Sequence, residues 1–205
     1  RFFDHFLKGD DNGWDKQPRV KLQVRHLDRF VERDEEDWPI PRTQWTRFYL
    51  HSEGMRLSQT PPQETASISF DALGDGIIFL SDPLEEQTEL TGPSALKISI
   101  SSSTSDADLF AIVRVFSPDG AEVVFQGAID PHTPIAQGWL RASHRKLDEE
   151  LSEPWRPYHT HDEKEPLVPG SSVDLDIEIW PTCIVIPPGY RIGLSIRGKD
   201  YEYAK

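Results

Sequence analysis

The sequence has little sulfur and lacks any long apolar run. Its 205 residues include one cysteine, Cys183, and one methionine. A single cysteine excludes an internal disulfide framework and fits a reducing compartment, which favours a cytoplasmic location. Cys183 lies among β-branched neighbours, so we predict a buried, unreactive thiol. No stretch approaches the roughly 20 apolar residues that a membrane-spanning helix needs, so we expect no membrane partner.

Positive charge is also scarce. The chain carries 22 Lys and Arg against 35 Asp and Glu, which gives a formal net charge of −13. Such a surface repels phosphate backbones, so nucleic acid is not expected as a partner. The densest acidic run, Glu32–Asp37, predicts a solvated turn.

The sequence lacks the Gly-x-Ser-x-Gly motif that places a nucleophilic serine on a strained turn. Two partial matches, Gly92–Leu96 and Pro169–Ser172, lack the second glycine. Ser143 and His144 are sequence neighbours, but the members of a catalytic triad are assembled in space, so adjacency carries little weight. We therefore predict no catalytic residue in this chain.

Most of the regular patterning that is present has the period of a β-strand. Apolar residues alternate with acidic ones in Val173–Trp180, which predicts a strand with one solvated face. Leu109–Phe116 is apolar on both faces and predicts a central strand. With 17 Pro and 13 Gly, the pattern favours an all-β antiparallel sandwich. Further strands are predicted at Val20–Arg25, Thr46–Leu50, Ser67–Phe70, Ile77–Leu80, Ala95–Ser101, Glu122–Gln126, Cys183–Ile186 and Arg191–Ile196.

Two connections between these strands differ in kind. Ser117–Gly120 reads Ser-Pro-Asp-Gly and predicts a tight hairpin, because Pro presets φ and Gly accepts a positive φ. The connection from Gly127 to Gly170 is much longer. A loop of that length is either functional or packed against a partner.

The first nine residues predict a short helix. Phe2, Phe3, Phe6 and Leu7 share one face, and Gly9 stands where a left-handed cap belongs. A helix this short is marginal on its own in water. Two interpretations are open: the apolar face packs on the domain that follows, or it is the last turn of a larger unit upstream.

Candidate metal ligands occur in two places. His159, His161 and Glu165 have the spacing of the first half of the metal-binding cupin motif, but its flanking glycines are misplaced and the segment resembles a loop. We therefore expect a solvated or interface loop there, predict no metal or other cofactor, and leave open whether His159 and His161 ever bind one. Asp106 and Asp108 are too few to specify a calcium site and predict turn hydrogen bonding.

Several stretches together resemble the X-Pro dipeptidyl-peptidase, cocaine-esterase and glutaryl-acylase group of α/β-hydrolase serine enzymes. The N-terminal part resembles the junction before the C-terminal domain of that group, and the later stretches resemble that domain in the same order. The stretches are Arg1–Gly9, Asp11–Trp14, Trp38–Pro41 and Phe48–Leu50, then Leu90–Pro93, Ser105–Phe110, Val115–Gly120, Gly138–His144 and Pro188–Ile192.

The resemblance implies an all-β jelly-roll, or galactose-binding-like, sandwich with a short N-terminal helix. Residues 1–16 would be the tail of a preceding α/β-hydrolase domain and a linker, and residues 17–205 the sandwich. Phe2, Phe3, Phe6 and Leu7 would then contact the upstream domain. The resemblance implies that the Ser, His and Asp of the triad lie upstream, so no catalytic position maps onto this chain.

The function expected from the resemblance is that of a non-catalytic C-terminal domain. It would support the catalytic domain of a serine hydrolase and cover its active-site mouth, and that enzyme would act on small acyl, ester or X-Pro peptide substrates. A homodimer joined at an unpaired sheet edge is a further expectation. The alternative is a free-standing carbohydrate-binding sandwich, which the six Trp permit although no spaced aromatic platform is evident.

Overall fold

The regular structure of the chain is almost entirely β. The computed structural model describes residues 1–203. The α-helix α1 spans Phe2–Lys8, and three 3-10 helices span Trp14–Lys16, Glu53–Met55 and Ala142–His144. None of the helices in residues 1–203 is long and apolar enough to cross a membrane. The strands are β1 Val20–Arg25, β2 Phe30–Glu35, β3 Tyr49–His51, β4 Arg56–Ser58, β5 Ile77–Leu80, β6 Thr88–Ile100, β7 Asp108–Phe116, β8 Ala136–Arg141, β9 Val173–Ile186 and β10 Arg191–Arg197.

The strands form two sheets that face each other. One sheet has the order β2-β1-β9-β6 and the other the order β3-β4-β5-β10-β7-β8. Pairing is antiparallel except between β1 and β9 and between β4 and β5. This architecture confirms the predicted all-β sandwich with one short helix.

The core lies between the two sheets, and period-two alternation builds it. In β9, Leu175 and Ile177 are buried while the intervening acidic residues face outward. In β10 of the opposite sheet, Ile192, Leu194 and Ile196 fill the same layer. The predicted strand over Val173–Trp180 is confirmed and continues through the predicted strand at Cys183–Ile186.

The predicted central strand and the hairpin after it are also confirmed. β7 lies between β10 and β8, and it buries Ala111 on the core face and Ile112 on the opposite face. The turn that follows has Gly120 at φ 86°, and its N–H donates to the Ser117 carbonyl at 2.9 Å. The returning chain makes only isolated bridges at Glu122 and Phe125, so the predicted strand there is wrong.

Two other sequence predictions are wrong. The acidic run at Glu32–Asp37 is not a turn, because most of it belongs to the edge strand β2, where Glu35 is buried between arginines. Its ion pair with Arg42 offsets the cost of burying a carboxylate. Ser67–Phe70 alternates like a strand but pairs with nothing among the described residues and is exposed throughout.

Strand β8 lies inside the connection from Gly127 to Gly170, where no strand was predicted. A β-carbon on Gly138 would lie 1.8 Å from the Glu178 carbonyl oxygen. Only glycine therefore lets β8 approach β9 across the edge of the sandwich. The remainder of the connection is irregular, as its length predicts.

Candidate interdomain surface

Helix α1 ends at the glycine that the sequence predicts as its cap. Gly9 has φ 76°, and its N–H donates to the His5 carbonyl at 3.1 Å. The Asp10 N–H donates to the Asp4 carbonyl at 3.1 Å, so the last carbonyls of the helix are satisfied. One turn apart, Lys8 Nζ lies 2.5 Å from Asp4 Oδ1.

The helix is held by the segment that follows it. The Asn12 amide donates to the Arg1 carbonyl at 2.8 Å, and the Arg1 guanidinium donates to the Asn12 carbonyl at 2.5 Å. The Phe2 ring meets Trp14 edge-on with centroids 5.2 Å apart. These contacts fold α1 back onto residues 10–16, so its position is set locally.

The apolar face of α1 is exposed. We call Phe2, Phe3, Phe6 and Leu7 the α1 face. Phe3 is 69% exposed and Leu7 is 77% exposed, and α1 buries none of its residues. Phe2 contacts Phe3, Phe6 and Trp14, but the sheets do not cover the face. The interpretation in which α1 packs on the following sandwich is therefore not what the structure shows.

The structure brings the predicted candidate histidines together. His161 Nδ1 lies 3.3 Å from His144 Nδ1, and the His159 ring lies 5.9 Å from the His161 ring. His144 was not part of the predicted pattern, because it is far away in sequence. Burial, with a smaller contribution from His161, lowers the pKa of His159 below its ordinary value.

The carboxylate of that pattern has a different partner. Glu165 lies 3.2 Å from the Arg145 guanidinium instead of completing a site with the histidines. Across residues 1–203, no three His, Cys, Asp or Glu side chains are arranged to hold a metal ion.

Asp106 precedes β7, and Asp108 is the first residue of that strand. Asp106 accepts hydrogen bonds from the Ser143 backbone N–H at 3.0 Å and the Ser143 hydroxyl at 2.7 Å. Although burial opposes the change, these bonds lower the pKa of Asp106. Asp108 forms a bidentate pair with Arg141 at 2.7 and 2.9 Å, which lowers the pKa of Asp108. Asp106 also accepts a local hydrogen bond from the Ala107 N–H at 2.9 Å, as the turn prediction expects, but its two bonds to Ser143 join segments that are distant in sequence.

Cys183 is less buried than predicted. Its Sγ lies 3.2 Å from Thr91 Oγ1, and the side chain is half-buried. Burial raises the pKa of the Cys183 thiol, so the reactive thiolate is disfavoured at neutral pH.

Two contacts between tryptophans were not predicted from the sequence, because the members of each pair are distant along the chain. Trp139 of β8 and Trp180 of β9 are both exposed, and their rings lie 5.2 Å apart at 46°. Trp45 stacks on Trp155 with centroids 4.4 Å apart. The outward positions of Trp139 and Trp180 follow from strand alternation, but their contact does not.

This chain is similar to a family of hydrolase domains and to several longer enzymes. The family model described as "X-Pro dipeptidyl-peptidase C-terminal non-catalytic domain" matches residues 12–205. A putative serine esterase of Mycobacterium bovis is 27% identical over 238 residues, which cover 99% of this chain and 36% of that protein. A cocaine esterase of Rhodococcus sp. is 25% identical, over 98% of this chain and 37% of that protein.

A solved structure shows the same relationship. A CocE/NonD family hydrolase of Staphylococcus aureus superposes with a TM-score of 0.91 and 27% identity, over 100% of this chain and 37% of that one. This chain thus spans about a third of the length of the relatives it matches.

Proposed function

We propose that this chain, which belongs to the X-Pro dipeptidyl-peptidase C-terminal non-catalytic domain family, docks through its α1 face on the catalytic domain of a serine hydrolase. The chain is the non-catalytic C-terminal domain of that family of hydrolases. The resemblance read from the sequence motifs is thereby confirmed. This chain spans about a third of the length of its relatives, and this supports its linkage to an upstream catalytic domain.

The observation that carries the proposal is the exposed α1 face. Burying a Phe or Leu side chain stabilises a fold by about 1.5–3 kcal/mol, so four such side chains on one short helix favour an apolar partner. The family model begins at residue 12, which leaves α1 outside the match. Both points support α1 as part of a hydrolase tail. The proposed division into a tail and linker over residues 1–16 and a sandwich over residues 17–205 overlaps the match at residues 12–16, and the end of the second range lies outside the described residues.

The chemistry of the parent enzyme would be acyl transfer to water. An activated serine would attack the carbonyl, a histidine would move the proton, and backbone amides would hold the oxyanion. None of these groups is assigned to this chain. The names of the relatives, which include serine esterase, cocaine esterase and Xaa-Pro dipeptidyl-peptidase, support small acyl, ester or X-Pro peptide substrates.

The part of the sandwich that covers the active-site mouth would be the connection from Gly127 to Gly170. It exposes several large apolar side chains, which an isolated surface loop does not require. They are Ile129, Leu151, Tyr158 and Val168.

A homodimer would use the free edge of β2. This strand ends the four-stranded sheet, and Phe30 and Val31 are exposed on it. An unpaired edge with apolar side chains favours pairing with a second copy. Val31→Lys should then convert a dimeric natural polypeptide to a monomer in sedimentation equilibrium.

The α1 face can be tested in the natural full-length polypeptide. Phe3→Asp or Phe6→Asp should separate the sandwich from the catalytic domain, because a carboxylate buried without a partner is strongly unfavourable. Separation would appear as a lower unfolding temperature and faster proteolysis near residue 12. Leu27→Asp, on an exposed apolar residue of the β1–β2 turn, is the matched control. Unchanged stability in both α1 variants would contradict the proposal.

A second candidate function is carbohydrate binding at Trp139 and Trp180. Two exposed indoles in contact offer an apolar surface to the face of a sugar ring. A glycan array and quenching of tryptophan fluorescence would show such binding, and Trp139→Ala should abolish it. The accessory-domain function predicts no sugar binding.

A further inference from the structure

One buried arginine on the outer face of the six-stranded sheet has no carboxylate partner within residues 1–203. Arg197, at the end of β10, is only 7% exposed. Ile196 points into the core, so Arg197 points to the opposite, outer face. Its Nε is buried without a hydrogen-bond partner, and its guanidinium forms no ion pair with any carboxylate of residues 1–203.

Several other shielded arginines of the fold have carboxylate partners, whereas Arg191 donates to the Ser81 carbonyl instead. Arg114, on the same outer face, forms a bidentate pair with Glu122 and donates to the Ser195 hydroxyl. Arg33 lies 2.6 Å from Glu89, and Arg145 lies 3.2 Å from Glu165. Arg197 differs from these arginines in its deeper burial, and a buried cation without a counter-charge is strongly unfavourable.

Two aromatic side chains lie in the same row as Arg197, and we call them the apolar rim. Its cross-strand partner on β7 is Phe110, whose own partner on β8 is Trp139. Opposite residues of paired strands share a face, so these three side chains form one row across the sheet. Trp139 is half exposed and contacts Trp180. Gly76 packs against the aliphatic part of Arg197, since a β-carbon on Gly76 would lie 2.7 Å from Arg197 Cγ.

We propose that the Arg197 row (Arg197, Phe110 and Trp139) receives a carboxylate-bearing segment of the upstream catalytic domain of the same polypeptide. The inference rests on the proposed function, because it takes the partner from the two thirds of the relatives that this chain does not span. The carboxylate pairs with Arg197, and the apolar rim excludes water around the pair. This contact is independent of the α1 face.

A second copy of this chain fits the row less well. A symmetric pair of copies places a patch against itself, which would bring Arg197 toward its own counterpart. The carboxylate of the adjacent row, Asp108, is already held by Arg141. In our proposal the counter-charge therefore comes from a different surface.

Carbodiimide coupling in the natural full-length polypeptide tests the inference. In the Arg197→Lys variant, the new amine should couple to the docked carboxylate and give a crosslinked peptide pair that joins β10 to the catalytic domain. Arg47→Lys is the control, because Arg47 is exposed. A crosslink only within the sandwich, or only between two copies, would overturn the inference.

Thermal unfolding gives a second readout. Arg197→Met should lower the unfolding midpoint of the full-length polypeptide by about 3 °C or more, while Arg47→Met leaves it unchanged. In the 205-residue chain, Arg197→Met should leave the midpoint unchanged or raise it, since it removes an unpaired charge. An equal loss in both would assign Arg197 a purely local role. If sodium acetate stabilises the 205-residue chain and this stabilisation requires Arg197, the ligand of Arg197 is a small anion. Either of these two results, the equal loss or the acetate effect, would contradict the inference.

The two proposals can fail separately. If Phe3→Asp separates the domains but the Arg197→Lys variant forms no crosslink to the catalytic domain, only the present inference is wrong. If the natural polypeptide has no hydrolase domain, the proposed function fails as well.

Discussion

Strand β9 and helix α1 use similar side chains with opposite results. In β9, Leu175 and Ile177 are fully buried against the facing sheet. In α1, Phe3 and Leu7 are largely exposed although the helix is well capped. The strand finds its partner within this chain, whereas the helix does not. We propose that the difference arises because α1 is completed by a surface outside the sandwich.

The largest expected effect comes from the buried side of this comparison. Ile177→Ala should lower the free energy of unfolding of the 205-residue chain by about 2–5 kcal/mol, because it leaves a cavity between the sheets. Urea denaturation followed by tryptophan fluorescence would measure the change. A loss below about 1 kcal/mol would mean that the two sheets pack loosely at this position.

The same comparison can be made with charges, between Arg114 and Arg197. Glu122→Gln should cost about 1–3 kcal/mol, because it takes the counter-charge from a largely buried guanidinium. Denaturation of Glu122→Gln and Arg197→Met in the same chain is the measurement. If Arg197→Met proves the more damaging of the two in the 205-residue chain, Arg197 has a partner within this chain.

A smaller effect is expected from pH. Burial lowers the pKa of His159 below its ordinary value of 6.5, so the unfolded chain binds the proton more tightly than the folded chain. The stability contributed by neutral His159 is present above about pH 6.5 and decreases as the pH falls through the folded-state pKa. Denaturation at pH 7.5 and 5.5 should show this loss, and His159→Gln should reduce it. An equal loss in the variant would assign the pH dependence to other groups.

The smallest effect is expected in α1. Leu7→Ala should change the stability of the 205-residue chain by less than about 0.5 kcal/mol, since Leu7 has little contact to lose. The same substitution in the full-length polypeptide should be clearly destabilising. Equal effects in the two proteins would remove the contrast between α1 and β9.

Local patterns predicted the parts of the fold that depend on near neighbours. β1 and the strand at Ile77–Leu80 have the predicted bounds, and Gly9 caps α1 as predicted. Strand alternation and capping are local properties, so they can be read without knowledge of the tertiary structure.

Most failures of prediction involved tertiary contacts that local patterns do not report, whereas Ser67–Phe70 alternates like a strand but has no partner strand among residues 1–203. The acidic charges of β2 suggested a turn, but β2 is an edge strand in which Glu35 forms an ion pair with Arg42. β8 lay hidden in a long connection, since the reason for Gly138 is the backbone of β9. The contact between His144 and His161 also depends on the assembled sheets, and so does the burial of the Arg197 Nε without a hydrogen-bond partner. The α1 face was predicted because its residues are adjacent, and its exposure agrees with one of the two interpretations that the sequence left open.

The most direct measurement concerns the natural polypeptide. An antibody to this chain would identify it in its source cells, and a fluorophosphonate probe would show whether it contains an active serine. The account predicts a labelled band far larger than the 23.4 kDa of this chain. An unlabelled band near 23.4 kDa would contradict it and leave the sandwich as a free-standing binding module.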